Sequence, residues 1–183
     1  MNITNIDDIR KLASGDEGGR TEYKLITGQL ERGMETLCAF LNGEGGTVLF
    51  GVADNGKITG QEVSDKTKRE IAEAIRLFEP FATITVSYAN IPDTDKQVIA
   101  LYAEEQRYMR PFTYKGRAYQ RIESVTSVMP QDKYNHLLMQ RGGKYSWEAI
   151  PNPDLQISDL DENVIIGAVR AGINCGRLPE TTI

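Results

Sequence analysis

The sequence predicts an α+β domain with a central sheet, mixed or antiparallel, flanked by helices. Three observations carry this expectation. Several segments repeat apolar residues at helical spacing, Thr47 to Val52 is a continuous apolar run typical of a strand buried on both faces, and the later strand-like segments come in pairs across turn dipeptides.

Residues 3 to 13 have the pattern of a short helix, with Asn5 as N-cap, Asp7 and Asp8 in the first turn, and Ile6, Ile9 and Leu12 at helical spacing. Ser14 to Gly19 breaks it, and a short strand follows from Thr21 to Leu25. Gln29 to Leu41 repeats Met34, Leu37, Cys38 and Leu41 as an amphipathic helix does, and Asn42-Gly43 ends it. The apolar strand then runs between Gly45-Gly46 and Asp54-Asn55-Gly56, where Asn55-Gly56 is a hairpin signal that returns Lys57 to Gly60 beside it. Ser64 caps a helix to Phe78 with Ile71, Ala74, Ile75 and Phe78 as its stripe, closed by Pro80. Ala82 to Ala89 and Gln97 to Ala103 form a strand pair across Pro92-Asp93, and Phe112 to Tyr114 and Arg117 to Arg121 form another across Lys115-Gly116. Pro130 to Arg141 is a last helix of this domain.

The domain is therefore expected over residues 1–141, a linker over 142–158 with Ile150-Pro-Asn-Pro153 at its centre, and a capped helix over 159–183. Leu160, Val164, Ile165 and Val169 give that helix an apolar stripe it cannot bury alone, so it begins a following region or docks on a partner or on the domain.

Of 183 residues, 40% are hydrophobic and 26% charged, which suits a globular core. No apolar run reaches the roughly 20 residues of a membrane span, and the N-terminus lacks the layout of a signal peptide, so no membrane partner and a cytoplasmic location are expected. Cys38 and Cys175 lie far apart without metal-ligand spacing and are expected as reduced thiols. A net charge of −5 excludes a protein that coats nucleic acid through bulk positive charge. Nucleic-acid contact must be local, and from Arg107 to Arg121 the chain carries Arg107, Arg110, Lys115, Arg117 and Arg121 with no acid among them. Tyr108, Phe112, Tyr114 and Tyr119 are interleaved with these cations, the mixture with which proteins grip phosphates and stack unpaired bases. The alternative is a solvated hairpin whose aromatics pack inward. Arg117, Tyr119 and Arg121 share one strand face, so Tyr119 is either flanked by cations in the open or covered by them.

Glu17, Glu22 and Asp54 are candidate catalytic and metal-ligating acids, with Lys24 on the same strand face as Glu22. Carboxylates gathered from neighbouring strands can hold Mg²⁺ or Mn²⁺, which activates water and offsets charge on a phosphate while a lysine supports the same transition state. The plainer alternative makes Glu22 and Lys24 a surface ion pair worth under about 1 kcal/mol and Asp54 a turn residue. Gly43-Glu-Gly-Gly46 lacks the GK[ST] ending of a phosphate loop and follows a helix, so it is expected as a tight turn. His136, the sole histidine, has no nucleophile signature near it.

Together, Glu17, Glu22-Tyr-Lys24, Ala39-Phe-Leu-Asn-Gly-Glu-Gly-Gly46, Gly51-Val-Ala-Asp-Asn-Gly-Lys-Ile-Thr-Gly60 and Arg110-Pro-Phe-Thr-Tyr-Lys-Gly-Arg-Ala-Tyr-Gln-Arg121 resemble the Schlafen-type Alba-like DNA-binding domain, formerly called divergent AAA. The resemblance covers about residues 14 to 130. It implies an α+β lobe found in bacterial transcriptional regulators, binding DNA or RNA. It also implies a ribonuclease alternative, since animal Schlafen relatives cleave structured RNA with an acidic triad that would fall on Glu17, Glu22 and Asp54. Those relatives clamp RNA between two such lobes. This chain carries one, so a homodimer would supply the second, and a scaffold or oligomerisation module is a third reading.

Overall fold

The computed structural model describes residues 3, 5–15, 18–144 and 156–179. The chain divides into two compact units, Met1–Ser146 and Trp147–Ile183.

In the first unit, helix α1 (Ile6–Ala13) starts where Asn5 accepts hydrogen bonds from the Asp7 and Asp8 amides at 2.9 and 3.0 Å. Strand β1 (Thr21–Lys24) leads through a 3₁₀ turn (Thr27–Gln29) into α2 (Leu30–Leu41) and then β2 (Gly46–Phe50). A crossover helix between these strands lets β2 run parallel to β1. Helix α3 (Asp65–Ile75) follows, opened by a reciprocal Ser64–Thr67 capping box. Strands β3 (Phe78–Glu79), β4 (Ile84–Asn90), β5 (Gln97–Ala103), β6 (Thr113–Tyr114), β7 (Tyr119–Ile122) and β8 (Val125–Val128) precede α4 (Gln131–Lys144).

The main sheet has the order β1-β2-β5-β4, with β5 antiparallel to both its neighbours, so it is a mixed sheet between helices. Every residue of β2 is buried. Alternation sends Val48 and Phe50 into the core formed with α2 and α3, where Met34, Leu37, Phe40 and Ile71 meet Ile99, Leu101 and Phe112. Leu49 faces the other way, with Ile9 of α1, Tyr23, Val98 and Ala100. Two covered faces explain why this strand is apolar throughout. Helix α2 lies so close to the sheet that a Cβ on Gly33 would stand 2.5 Å from Cζ of Phe50. Beyond β2, Asn55-Gly56 turns the chain back as expected, although only Val52 and Ile58 form a bridge there.

Three boundaries differ from the sequence expectation. Helix α3 stops at Ile75, and Phe78, expected as its last apolar residue, sits instead in β3, paired with Tyr114, the two rings tilted by 42° with centroids 5.1 Å apart. The expected pair across Lys115-Gly116 is reduced to a tight turn in which Tyr114 and Arg117 exchange backbone bonds of 2.8 and 3.0 Å. Its two arms pair elsewhere, β6 with β3 and β7 with the unanticipated β8. Helix α4 continues through Gly142-Gly143 to Lys144, where the linker was expected to begin. Ile150 to Pro153, the centre of that linker, lies outside the described residues.

In the second unit, Asp161 caps helix α5 (Glu162–Asn174) by accepting from the Asn163 and Val164 amides at 2.9 and 3.3 Å. Leu160, Val164 and Ile165 of its stripe are exposed. Among the described residues no helix is long and apolar enough to cross a membrane.

Candidate nucleic-acid interface

Strand β7 delivers Arg121 to β1. Its Nη2 lies 2.7 Å from Oε2 of Glu22, its Nε donates to the Gly18 carbonyl at 3.0 Å, and its Nη1 to Oγ1 of Thr126 at 3.0 Å. The guanidinium sits 5.2 Å from the centre of the Phe40 ring, and the side chain is only 5% exposed. Lys24 donates to the other oxygen of Glu22. In place of the surface pair that was one of the two sequence readings, the structure has a largely buried Lys24–Glu22–Arg121 triad, with Glu22 12% and Lys24 13% exposed.

Asp54 is exposed in the turn after β2 and lines a shallow cavity with Leu25, Ile26 and Gln29. Glu22 and Lys24 line a different one with Arg32, Glu35 and Thr126. Glu17 lies outside the described residues. Both carboxylate oxygens of Glu22 are held by cations, and among the described residues no three His, Cys, Asp or Glu side chains converge.

The segment from Arg107 to Arg121 is basic in sequence, yet most of its cations meet carboxylates, two at Glu105 just before it and two at Glu31 and Glu22 brought from elsewhere in the fold. Nε of Arg107 and Nη2 of Arg110 reach Oε1 of Glu105 at 2.6 and 3.1 Å. The hydrogen bond from Arg107, with the charge of both arginines, holds the Glu105 carboxyl below its ordinary pKa. Arg110 also donates to the Leu41 carbonyl at 3.2 Å, at the C-terminus of α2, and burial pulls its pKa down. Lys115 pairs with Glu31 of α2 at 2.6 Å. Arg117 is exposed and has no ion pair among the described residues.

The aromatics of this segment mostly turn inward. Phe112, Tyr114 and Tyr119 are buried, whereas Tyr108 is exposed. The Tyr119 hydroxyl donates to Glu35 at 2.9 Å, and burial followed by that carboxylate pushes its pKa up to about 12. The Tyr114 hydroxyl donates to Glu31 at 3.2 Å and is raised for the same reasons. Tyr119 is thus neither flanked in the open nor available for stacking.

Asn42, at the end of α2, holds this region in place. Its side chain accepts from the Phe112 amide at 2.7 Å and donates to the carbonyls of Phe112 and Tyr119 at 2.9 and 3.0 Å. The buried Cys38 thiol lies one helical turn earlier, its pKa pushed up to about 12 by burial.

Two cations missed in the sequence complete the surface. Gly19, Arg20, Gly43, Glu44, Arg121 and Lys133 are among the residues lining a cavity of about 270 Å³. Arg20 reaches it from the start of β1 and donates to the Glu44 carbonyl; Lys133 reaches it from α4 and donates to Oε1 of Gln120 at 2.8 Å. Each stands isolated along the chain, so only the convergence of β1, α2, β7 and α4 could reveal them. Arg121 is committed to Glu22, which leaves Arg20 and Lys133 as the cations with bonding capacity to spare.

Among solved structures, the chain is similar to the DIP2311 protein from Corynebacterium diphtheriae, with 14% sequence identity and a TM-score of 0.49 over 96% of this chain and 40% of that one. This chain thus spans 40% of the length of that protein. No curated protein matches it. The family model described as Schlafen, AlbA_2 matches residues 17–130, more than half of the chain. The motifs around Glu22, Asn42, Gly51 and Arg121 therefore stand in a protein that belongs to the Schlafen, AlbA_2 family, a membership that points to a nucleic-acid-related role.

Proposed function

We propose that this domain binds nucleic acid, receiving a backbone phosphate between Arg20 and Lys133 in the cavity that Arg121 also lines, with exposed Arg117 adding a second contact. The observation that supports this best is the convergence of three cations on one cavity whose lining includes a single carboxylate residue, Glu44. In an acidic chain of net charge −5, such a local concentration is what phosphate binding requires. Lys115 and Arg107 would join only by exchanging Glu31 and Glu105 for phosphate, and Arg110 serves the end of α2. The setting we propose, on the family resemblance, is a transcriptional regulator.

Fluorescence anisotropy with a labelled single-stranded RNA and a duplex DNA at low salt tests this reading. Replacing Arg20 and Lys133 by alanine removes two charge-assisted contacts, each worth about 1.5–3 kcal/mol, and is expected to weaken binding at least about a hundredfold. Equal affinity of the double variant and the wild type, or no binding by the wild type at low salt, would sink it.

A further inference from the structure

The sequence contains Asn-Gly twice, at Asn42-Gly43 and at Asn55-Gly56. In this dipeptide the glycine nitrogen, with no side chain beside it, can attack the asparagine side chain and close a succinimide ring. In both copies the glycine amide donates to a carbonyl three residues back, Gly43 to Phe40 at 3.0 Å and Gly56 to Ala53 at 2.8 Å, so the backbone bond does not separate them. The side chains do separate them. Asn42 is buried, its Oδ1 held by the Phe112 amide and its Nδ2 by the carbonyls of Phe112 and Tyr119, so Cγ reaches the Gly43 nitrogen only if buried bonds break. Asn55 stands exposed in the turn after β2, and among the described residues its Nδ2 has no hydrogen-bond partner. Its Oδ1 accepts from the Lys57 amide at 3.0 Å, a bond that reaches across Gly56 and folds the side chain back over the glycine peptide. The Lys57 amide also stands where negative charge develops on that oxygen during attack.

We propose that Asn55 is a site of spontaneous deamidation in the folded protein, and that Asn42, in the same dipeptide, is protected by the fold. The Gly56 nitrogen gives its proton to hydroxide or a buffer base, and its lone pair forms a bond to Cγ of Asn55. The Cγ–Nδ2 bond breaks, and Nδ2 leaves as ammonia with a proton from water. Water then opens the ring. Cleavage at the side-chain carbonyl leaves an aspartyl residue at position 55, and cleavage at the backbone carbonyl leaves an isoaspartyl one. Either product sets a new carboxylate next to Asp54. The isoaspartyl form also lengthens the backbone where the turn meets α1, since a Cβ on Gly56 would stand 2.5 Å from the Ala13 carbonyl oxygen. This chemistry is independent of nucleic-acid binding.

Peptide mapping by mass spectrometry tests the proposal in the full chain, incubated in mildly alkaline buffer with and without denaturing urea. Digestion at glutamate cuts after Glu44 and puts the two asparagines on separate peptides. In the folded protein the peptide holding Asn55 is expected to gain the mass of an amide-to-acid exchange and to split into aspartyl and isoaspartyl forms. Position 42 is expected to react at least about a hundredfold more slowly, because the buried bonds of Asn42 must open first. In urea, where neither side chain is held, the two positions are expected to react at similar rates. Equal reaction at both positions in the folded protein, reaction at Asn42 first, or an intact Asn55 under conditions that convert the urea-treated chain would overturn the proposal.

Discussion

Replacing Glu22 by glutamine keeps the side-chain shape and removes the charge that both Lys24 and Arg121 answer. Arg121 is 5% exposed and Lys24 13%, so the orphaned cations have little water to turn to. Breaking a buried ion pair from one side typically costs about 3–5 kcal/mol. The loss here falls at or just below the lower end of that range, because Arg121 retains the Gly18 and Thr21 carbonyls and the Thr126 hydroxyl, and the glutamine oxygen still accepts one bond. The expected loss is about 2–3 kcal/mol. With a urea dependence of about 2 kcal/mol/M, the unfolding midpoint moves down by about 1–1.5 M. A folded Glu22→Gln protein whose midpoint stays within about 0.2 M of wild type would refute the view that Glu22 is the anchor joining β1 to β7. The same result bears on any nuclease assay, since lost activity in this variant counts as chemistry only after correction for the unfolded fraction.

Asn42→Ala leaves the Phe112 amide and the carbonyls of Phe112 and Tyr119 without their partner in a buried region, and a loss of about 2–4 kcal/mol is expected in urea titration. A loss below about 1 kcal/mol would mean the end of α2 is held by other contacts. The Cys38 thiol, raised from 9.0 to about 12, keeps its proton in the folded state where the unfolded chain releases it. Its contribution is complete below pH 9.0 and is lost as pH rises toward 12. Cys38→Ala is expected to flatten the fall of stability above pH 9.0, a slope of up to about 1.4 kcal/mol per pH unit for one group, and parallel slopes in the two proteins would contradict this.

Features carried by a few neighbouring residues were legible in the sequence. Asn5 and Ser64 announce their helices by side-chain capping, and Thr47 to Val52 announces a central strand by its unbroken apolarity. Strand β8 announces nothing, because Val125 and Val128 are both exposed and no alternation marks a buried face. Strand β3 hides behind the helical spacing of Ile71, Ala74 and Phe78, and its true partner Tyr114 lies far along the chain. The electrostatics were obscured for the same reason. Lys115 finds Glu31 across 84 residues and Arg121 finds Glu22 from the far end of the domain, so a segment with no acids of its own is largely neutralised in space. Arg20 and Lys133 gave no local signal because a binding cavity is a property of the fold.

The salt dependence of RNA binding tests the central claim most directly, because it counts phosphate contacts rather than overall affinity. If Arg20 and Lys133 together hold one phosphate of a single strand and Arg117 a second, the slope of log K against log salt is about −1.4, and it falls to about −0.7 in the Arg20→Ala, Lys133→Ala protein. A slope that is unchanged in that variant would contradict the assignment of the phosphate to this cavity.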